Sequence, residues 1–130
     1  MNSANTLQVT SMRSESTETK TSNSVHDINI TPQELQDLIT SKVNITLLDV
    51  RTHKETEIAS IGGVHIPLNE LPNRINELDP ESHIVIYCHH GVRSLTAVGI
   101  LQSCGFNKVQ HLNGGIDAWS DIIDPGIRKY

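Results

Sequence analysis

Basic side chains are scarce in this sequence. Ten Lys and Arg against 15 Asp and Glu leave a formal net charge of -5, and binding to nucleic acid or to an anionic membrane by counterion release needs a basic face that this balance does not supply. An anionic substrate would have to be drawn in by local groups. Long apolar runs are missing too: they extend over only a few residues, far short of the roughly 20 that a spanning helix needs. Cysteine is nearly absent, with two in 130 residues. That excludes a disulfide framework and, with no cleavable leader in view, points to the reducing cytosol, where thiols stay free for chemistry. No internal repeat is visible, and domains of about 100–150 residues are common, so one domain with one active site is expected. For its assembly the expectation goes no further than a monomer or weak dimer.

Residues 1–24 are dominated by Ser, Thr and Asn and carry too little apolar surface to offset chain entropy, so they are expected to form a disordered arm before a folded domain over 25–130. A mitochondrial presequence fits poorly, because Arg13 and Lys20 are balanced by Glu15 and Glu18.

From Val25 onward, short apolar runs alternate with helical periodicity, the pattern of βα units around a mostly parallel sheet. Thr31-Pro32-Gln33-Glu34 is a capping box with proline at the first helical position, and Leu35, Leu38 and Ile39 mark the buried face of a helix over about 32–41. Ile45 to Val50 and Ile84 to Tyr87 are continuous, branched and apolar, as strands buried on both faces tend to be. Val64 to Pro67 and Lys108 to Leu112 read as further strands. Helices over about 70–78, 93–104 and 115–121 fill the intervals. The fold class expected is α/β, a three-layer domain with a central, mostly parallel five-stranded sheet flanked by helices.

The stretch with chemical content is Cys88-His89-His90-Gly91-Val92-Arg93-Ser94, which leaves a buried strand and enters a helix with Ala97, Ile100, Leu101 and Cys104 on one stripe. In open α/β sheets this junction is where ligands bind. A loop closing onto a helix N-terminus turns several N-H groups inward and forms an anion cradle. A cysteine at its lip, with a cation such as Arg93 nearby, has the surroundings that favour a thiolate nucleophile. Cys104, on the helix stripe, is expected to pack in the core. Metal binding by Cys88, His89 and His90 is not expected, because consecutive side chains seldom converge on one ion and no second ligand pair is spaced to help. Asp49 and Arg51 are supporting candidates, although charged groups at strand ends also pair to fix loops. His65, His83 and His111 read as structural or surface residues, and Trp119 as a cap on the core.

Cys88 to Arg93 resembles the Cys-x4-Arg active loop of the rhodaneses, the thiosulfate and thiol sulfurtransferases. Asp49-Val50-Arg51 with Glu55, followed by Ile61 to Leu68, is similar to that family's first signature, and Asn113-Gly114-Gly115-Ile116-Asp117-Ala118-Trp119 to its second. Asp124 to Tyr130 resembles the tail of rhodanese domains fused to ubiquitin-activating-like adenylyltransferases. The resemblance implies a three-layer rhodanese-like fold. It also implies transfer of a sulfane sulfur from a donor such as thiosulfate to cyanide, a small thiol or a protein thiol, through a persulfide on Cys88 and with no separate cofactor. The N-H groups of His89, His90, Gly91, Val92, Arg93 and Ser94 would hold the outer sulfur, with Arg93 closing the loop and His89 and His90 shaping access.

Two other functions share these features. A Cdc25-like phosphatase or arsenate reductase also uses a loop cysteine and arginine, but the resemblance there calls for five intervening residues where Cys88 and Arg93 enclose four. It would also need a loop carboxylate to protonate the leaving group, and positions 89–92 are His, His, Gly and Val. A non-catalytic interaction module would have no need of a thiol in an anion cradle.

Overall fold

The computed structural model of the chain describes residues 27–130; the segment 1–24, expected as a disordered arm, lies outside the described residues. Five strands make one sheet: β1 Asn29–Ile30, β2 Thr46–Asp49, β3 Val64–His65, β4 Ile84–Tyr87 and β5 Val109–Leu112. Their order is β1-β5-β4-β2-β3, and every neighbouring pair is parallel. The helices are α1 Pro32–Thr40, α2 His53–Ile58, α3 Leu71–Arg74, α4 Val92–Ser103 and α5 Gly115–Ile122. The α/β architecture expected from the alternating pattern is present, with the sheet fully parallel.

The central strand shows why a continuous apolar run belongs here. Successive side chains of a strand point to opposite faces, so Ile84, Ile86 and, just past the strand, Cys88 join one core cluster with Leu71 of α3 and Ala97, Val98 and Leu101 of α4. Val85 and Tyr87 enter the other, with Leu35 of α1 and Ile116 and Trp119 of α5. All four β4 residues are fully buried. That parity fixes which side of the sheet receives the cysteine.

The helix starts follow side-chain capping. At α1 the Thr31 hydroxyl accepts the Glu34 N-H at 3.1 Å while the Glu34 carboxylate accepts the Thr31 N-H at 2.9 Å. Thr52 and Glu55 repeat the arrangement at α2. This short helix buries no residue and leaves no apolar stripe, so periodicity did not predict it. β1 is two residues long, too brief for a pattern, and β3 stops before Pro67, which has no N-H to pair. Instead of one helix over about 70–78, α3 lies between 3-10 turns at Leu68–Glu70 and Ile75–Glu77. Cys104 corrects an expectation. It is exposed, because the backbone leaves the helix there (φ -103, ψ 15) and Gly105 follows at φ +90, carrying the thiol off the Ala97 and Leu101 stripe.

From β2 the chain moves outward to β3, and from β4 it moves the other way to β5. The crevice at the carboxyl ends of β2 and β4 is therefore the switch point where α/β sheets place their ligands. Among the described residues no helix is long and apolar enough to cross a membrane.

Candidate active site

Cys88 lies at this switch point, one residue beyond β4. Gly91, at φ +108, precedes the first turn of α4 and offers no side-chain cap. The Cys88 sulfur fills that role: Sγ accepts the N-H of Gly91 at 3.1 Å and of Ser94 at 3.3 Å. Ser94 is the third residue of α4, whose N-H an N-cap serine or threonine would otherwise accept. Two amide dipoles and the helix N-terminus are thus aimed at one sulfur atom, an arrangement that stabilises negative charge there.

The expected position at the lip of the loop needs correction. Cys88 is 1% exposed and belongs to the core cluster on the α4 side, so the sulfur lies on the floor of the cradle. Strand alternation puts it there: the parity that buries Ile84 and Ile86 carries on to residue 88. Access to the sulfur is what this arrangement restricts.

The loop is held from outside by α5. The Ile116 N-H donates to the Cys88 carbonyl at 2.9 Å and the Asp117 N-H to the His89 carbonyl at 3.1 Å. This approach needs glycine at 115, where φ is +63 and a Cβ would collide with the carbonyl oxygens of Cys88 and His89. The Gly114-Gly115 pair thereby acts on the cysteine loop although it follows a different strand.

The Arg93 guanidinium is engaged by Glu55. Its two terminal nitrogens donate to the two carboxylate oxygens of Glu55, at 2.6 and 2.8 Å, and tie α4 to α2. Arg93 holds the Glu55 carboxyl well below the usual carboxylate range. The guanidinium charge is met first by Glu55, and Cys88 and Tyr130 also lie within its electrostatic reach. Glu55 also accepts the hydroxyl of Tyr130 at 2.9 Å. In the sequence Glu55 stands within the first signature with no site role of its own, and the Thr52-x-x-Glu55 capping box is the local signal that marks it.

Asp49 and Arg51 lie at the end of β2 and make a fastener. Arg51 is fully buried and donates to both Asp49 oxygens, at 3.0 and 2.8 Å, to the Ala59 carbonyl at 2.8 Å and to the Tyr130 hydroxyl at 2.9 Å. The pair joins β2, the end of α2 and Tyr130, and Arg51 also lies over the ring of Tyr87, the residue before Cys88. His89 and His90 stack with ring centroids 3.8 Å apart, and Tyr130 stacks on His89 at 3.9 Å. Burial, and then the neighbouring His90, lower the pKa of His89, and its Nε2 is buried without a hydrogen-bond partner. Val92 is 75% exposed.

His89, His90 and Asp117 place potential ligand atoms within 4.8 Å of one another. Asp117 gives one carboxylate oxygen to Lys129 at 3.0 Å and turns the other toward Nε2 of His90 at 3.9 Å, so the stacked rings and Lys129 gather about one carboxylate. His111, read from sequence as structural or surface, is 5% exposed on β5 and bonded to Ser94.

The family described as Rhodanese-like domain matches residues 31–122. The chain is 36% identical over 104 residues to "Probable adenylyltransferase/sulfurtransferase MoeZ" of Mycobacterium tuberculosis, covering 78% of this chain and 26% of that protein. It is 32% identical over 92 residues to a protein named "Sulfurtransferase" from Allochromatium vinosum, covering 70% of this chain and 86% of that one. The chain thus spans about a quarter of MoeZ and most of the Allochromatium protein. Among solved structures, a rhodanese-related protein from Thermoplasma volcanium superposes with a TM-score of 0.65 at 32% identity, covering 72% of this chain and 90% of that chain. The family match spans most of the described residues and the fold agrees with it, so the chain belongs to the rhodanese-like domain family.

Proposed function

We propose that this chain is a sulfurtransferase that moves a sulfane sulfur from a donor such as thiosulfate to a thiol or cyanide acceptor through a persulfide on Cys88. The observation that carries the reading is the Cys88 sulfur receiving the Gly91 and Ser94 N-H groups at the start of α4.

The chemistry balances without an added oxidant. The Cys88 thiolate attacks the outer sulfur of thiosulfate, a sulfur-sulfur bond forms, the donor's own sulfur-sulfur bond breaks, and sulfite leaves with the electron pair. The persulfide keeps one negative charge, which the loop amides are oriented to meet. An acceptor thiol then takes the outer sulfur and returns Cys88 as thiolate. No cofactor beyond the persulfide is required. In a chain of net charge -5, with Arg93 engaged by Glu55, backbone dipoles rather than side-chain cations would hold the donor anion.

Both cysteines are free, which suits the cytosol as the place of action. The names of the relatives, adenylyltransferase/sulfurtransferase and sulfurtransferase, support sulfur transfer as the reaction. The reading is tested by incubating the reduced chain with thiosulfate and cyanide and measuring thiocyanate. The parent is expected to turn over and Cys88→Ser to lose activity to background; undiminished turnover in Cys88→Ser overturns the mechanism.

A further inference from the structure

Behind the Cys88 sulfur lies a second hydrogen-bonded path that sulfur transfer as described does not use. Cys88 Sγ is 3.5 Å from the Ser94 hydroxyl, which is 3.0 Å from Nδ1 of His111; Nε2 of the same ring is 3.0 Å from Oδ1 of Asn29. The four residues come from the end of β4, from α4, from β5 and from β1. Ser94 is fully buried and His111 nearly so.

The partners fix the direction of each bond. A side-chain amide oxygen only accepts, so Nε2 of His111 carries a hydrogen toward Asn29, and Nδ1 is the bare, accepting nitrogen. The Ser94 hydroxyl has one proton and two acceptors in reach, Nδ1 at 3.0 Å and the Gly91 carbonyl at 3.2 Å. With that proton on the nearer, Nδ1, the serine oxygen turns its lone pairs to the Cys88 thiol. The chain then runs in one sense, from sulfur through serine to imidazole.

We propose that Ser94 and His111 form the route by which Cys88 loses its proton, with Asn29 holding the imidazole in the accepting tautomer. In this step the S-H bond of Cys88 breaks and its proton passes to Ser94 Oγ, while Ser94's own proton passes to Nδ1. Cys88 becomes thiolate, His111 becomes imidazolium, Ser94 ends with its O-H turned toward sulfur, and no electrons are exchanged. When an acceptor later takes the outer sulfur, the same proton can return. The transfer is neutral overall, which limits the cost of forming two charges in a buried place. Burial lowers the pKa of His111 and no charged neighbour contributes, so before the thiol gives up its proton the ring is poised as a neutral acceptor. Among the described residues, those bonded to the ring, Ser94 and Asn29, are neutral, and Cys88 is the one titratable group on the path. His111 acts through Ser94 and is a positioning residue.

This inference rests on Cys88 as the nucleophile, and its test separates the two claims. The full chain, labelled with 15N at histidine and kept reduced, is compared by NMR with Cys88→Ala. Near neutral pH the His111 ring nitrogens of the parent are expected to show imidazolium character, lost in Cys88→Ala. Ring signals identical in both proteins at every pH overturn the relay. In a Cys104→Ser background, Ser94→Ala is expected to lower the thiolate-to-thiol ratio of Cys88, read by ultraviolet absorbance, about tenfold, and Ser94→Thr to restore it; an unchanged ratio in Ser94→Ala also counts against the route. Intact mass after thiosulfate treatment completes the set. Sulfur gained on Cys88 with indifferent His111 signals rejects the relay and keeps sulfur transfer; coupled signals without sulfur gain keep the relay and reject sulfur transfer.

Discussion

Glu55 caps α2 through Thr52 and also holds both terminal nitrogens of Arg93, so one carboxylate joins the helix after β2 to the helix after Cys88. Removing its charge by Glu55→Gln is expected to cost about 1–2 kcal/mol of stability, less than a fully buried pair would, because Arg93 keeps a third of its side chain in solvent. The pH dependence has a definite sign. The folded carboxyl titrates below its ordinary value of 4.5, so in acid the unfolded state binds more protons, and the contribution present above that value fades as pH falls through the depressed one. Urea unfolding of both proteins across pH should show a difference that is constant at neutrality and narrows below about pH 4.5; a difference independent of pH would contradict the assignment. At this scale the sequence was legible where chemistry is local. Cys88 and its glycine were visible as a loop, whereas the partner of Arg93 lies 38 positions away and that of His111 lies 82 away, distances that periodicity and capping do not span.

The junction of β5 and α5 controls the cysteine loop by close approach of backbones. A Cβ at 115 would meet the carbonyl oxygens of Cys88 and His89, and φ there is +63. Gly115→Ala should therefore cost about 2–4 kcal/mol and reduce sulfur transfer by more than the loss of folded protein explains. Gly99→Ala, in α4 where a Cβ meets nothing within 4 Å, should be neutral or stabilising by up to about 1 kcal/mol. Thermal unfolding and thiocyanate assays on the two variants check the contrast; equal effects would mean that the approach at 115 does not matter. Elements with a cap or a buried stripe, such as α1, β4 and α5, were readable because local and tertiary preferences agree there. α2 buries nothing and is marked only by its Thr52 and Glu55 capping box, and β1 is held by its pairing with β5, so neither leaves an apolar pattern of its own.

For the whole molecule, continuous apolar strands separated by helical segments foretold a parallel sheet, and the switch point between β2 and β4 explains why the cysteine loop, the Asp49 and Arg51 fastener and Glu55 meet at one edge. The strand order was not legible, because pairing between strands is a property of the assembled core. The depth of Cys88 was misjudged for a related reason. A loop read in isolation looks exposed, while the same loop at the end of a central strand inherits that strand's burial. The central claim is that this buried, amide-bound sulfur carries a second sulfur atom. Intact-mass analysis of the chain after exposure to thiosulfate, with the added mass located by peptide mapping, tests it most directly. The account predicts a gain of one sulfur atom on the Cys88 peptide, reversed by a thiol and absent in Cys88→Ser. No gain, or a gain confined to the exposed Cys104, would contradict it.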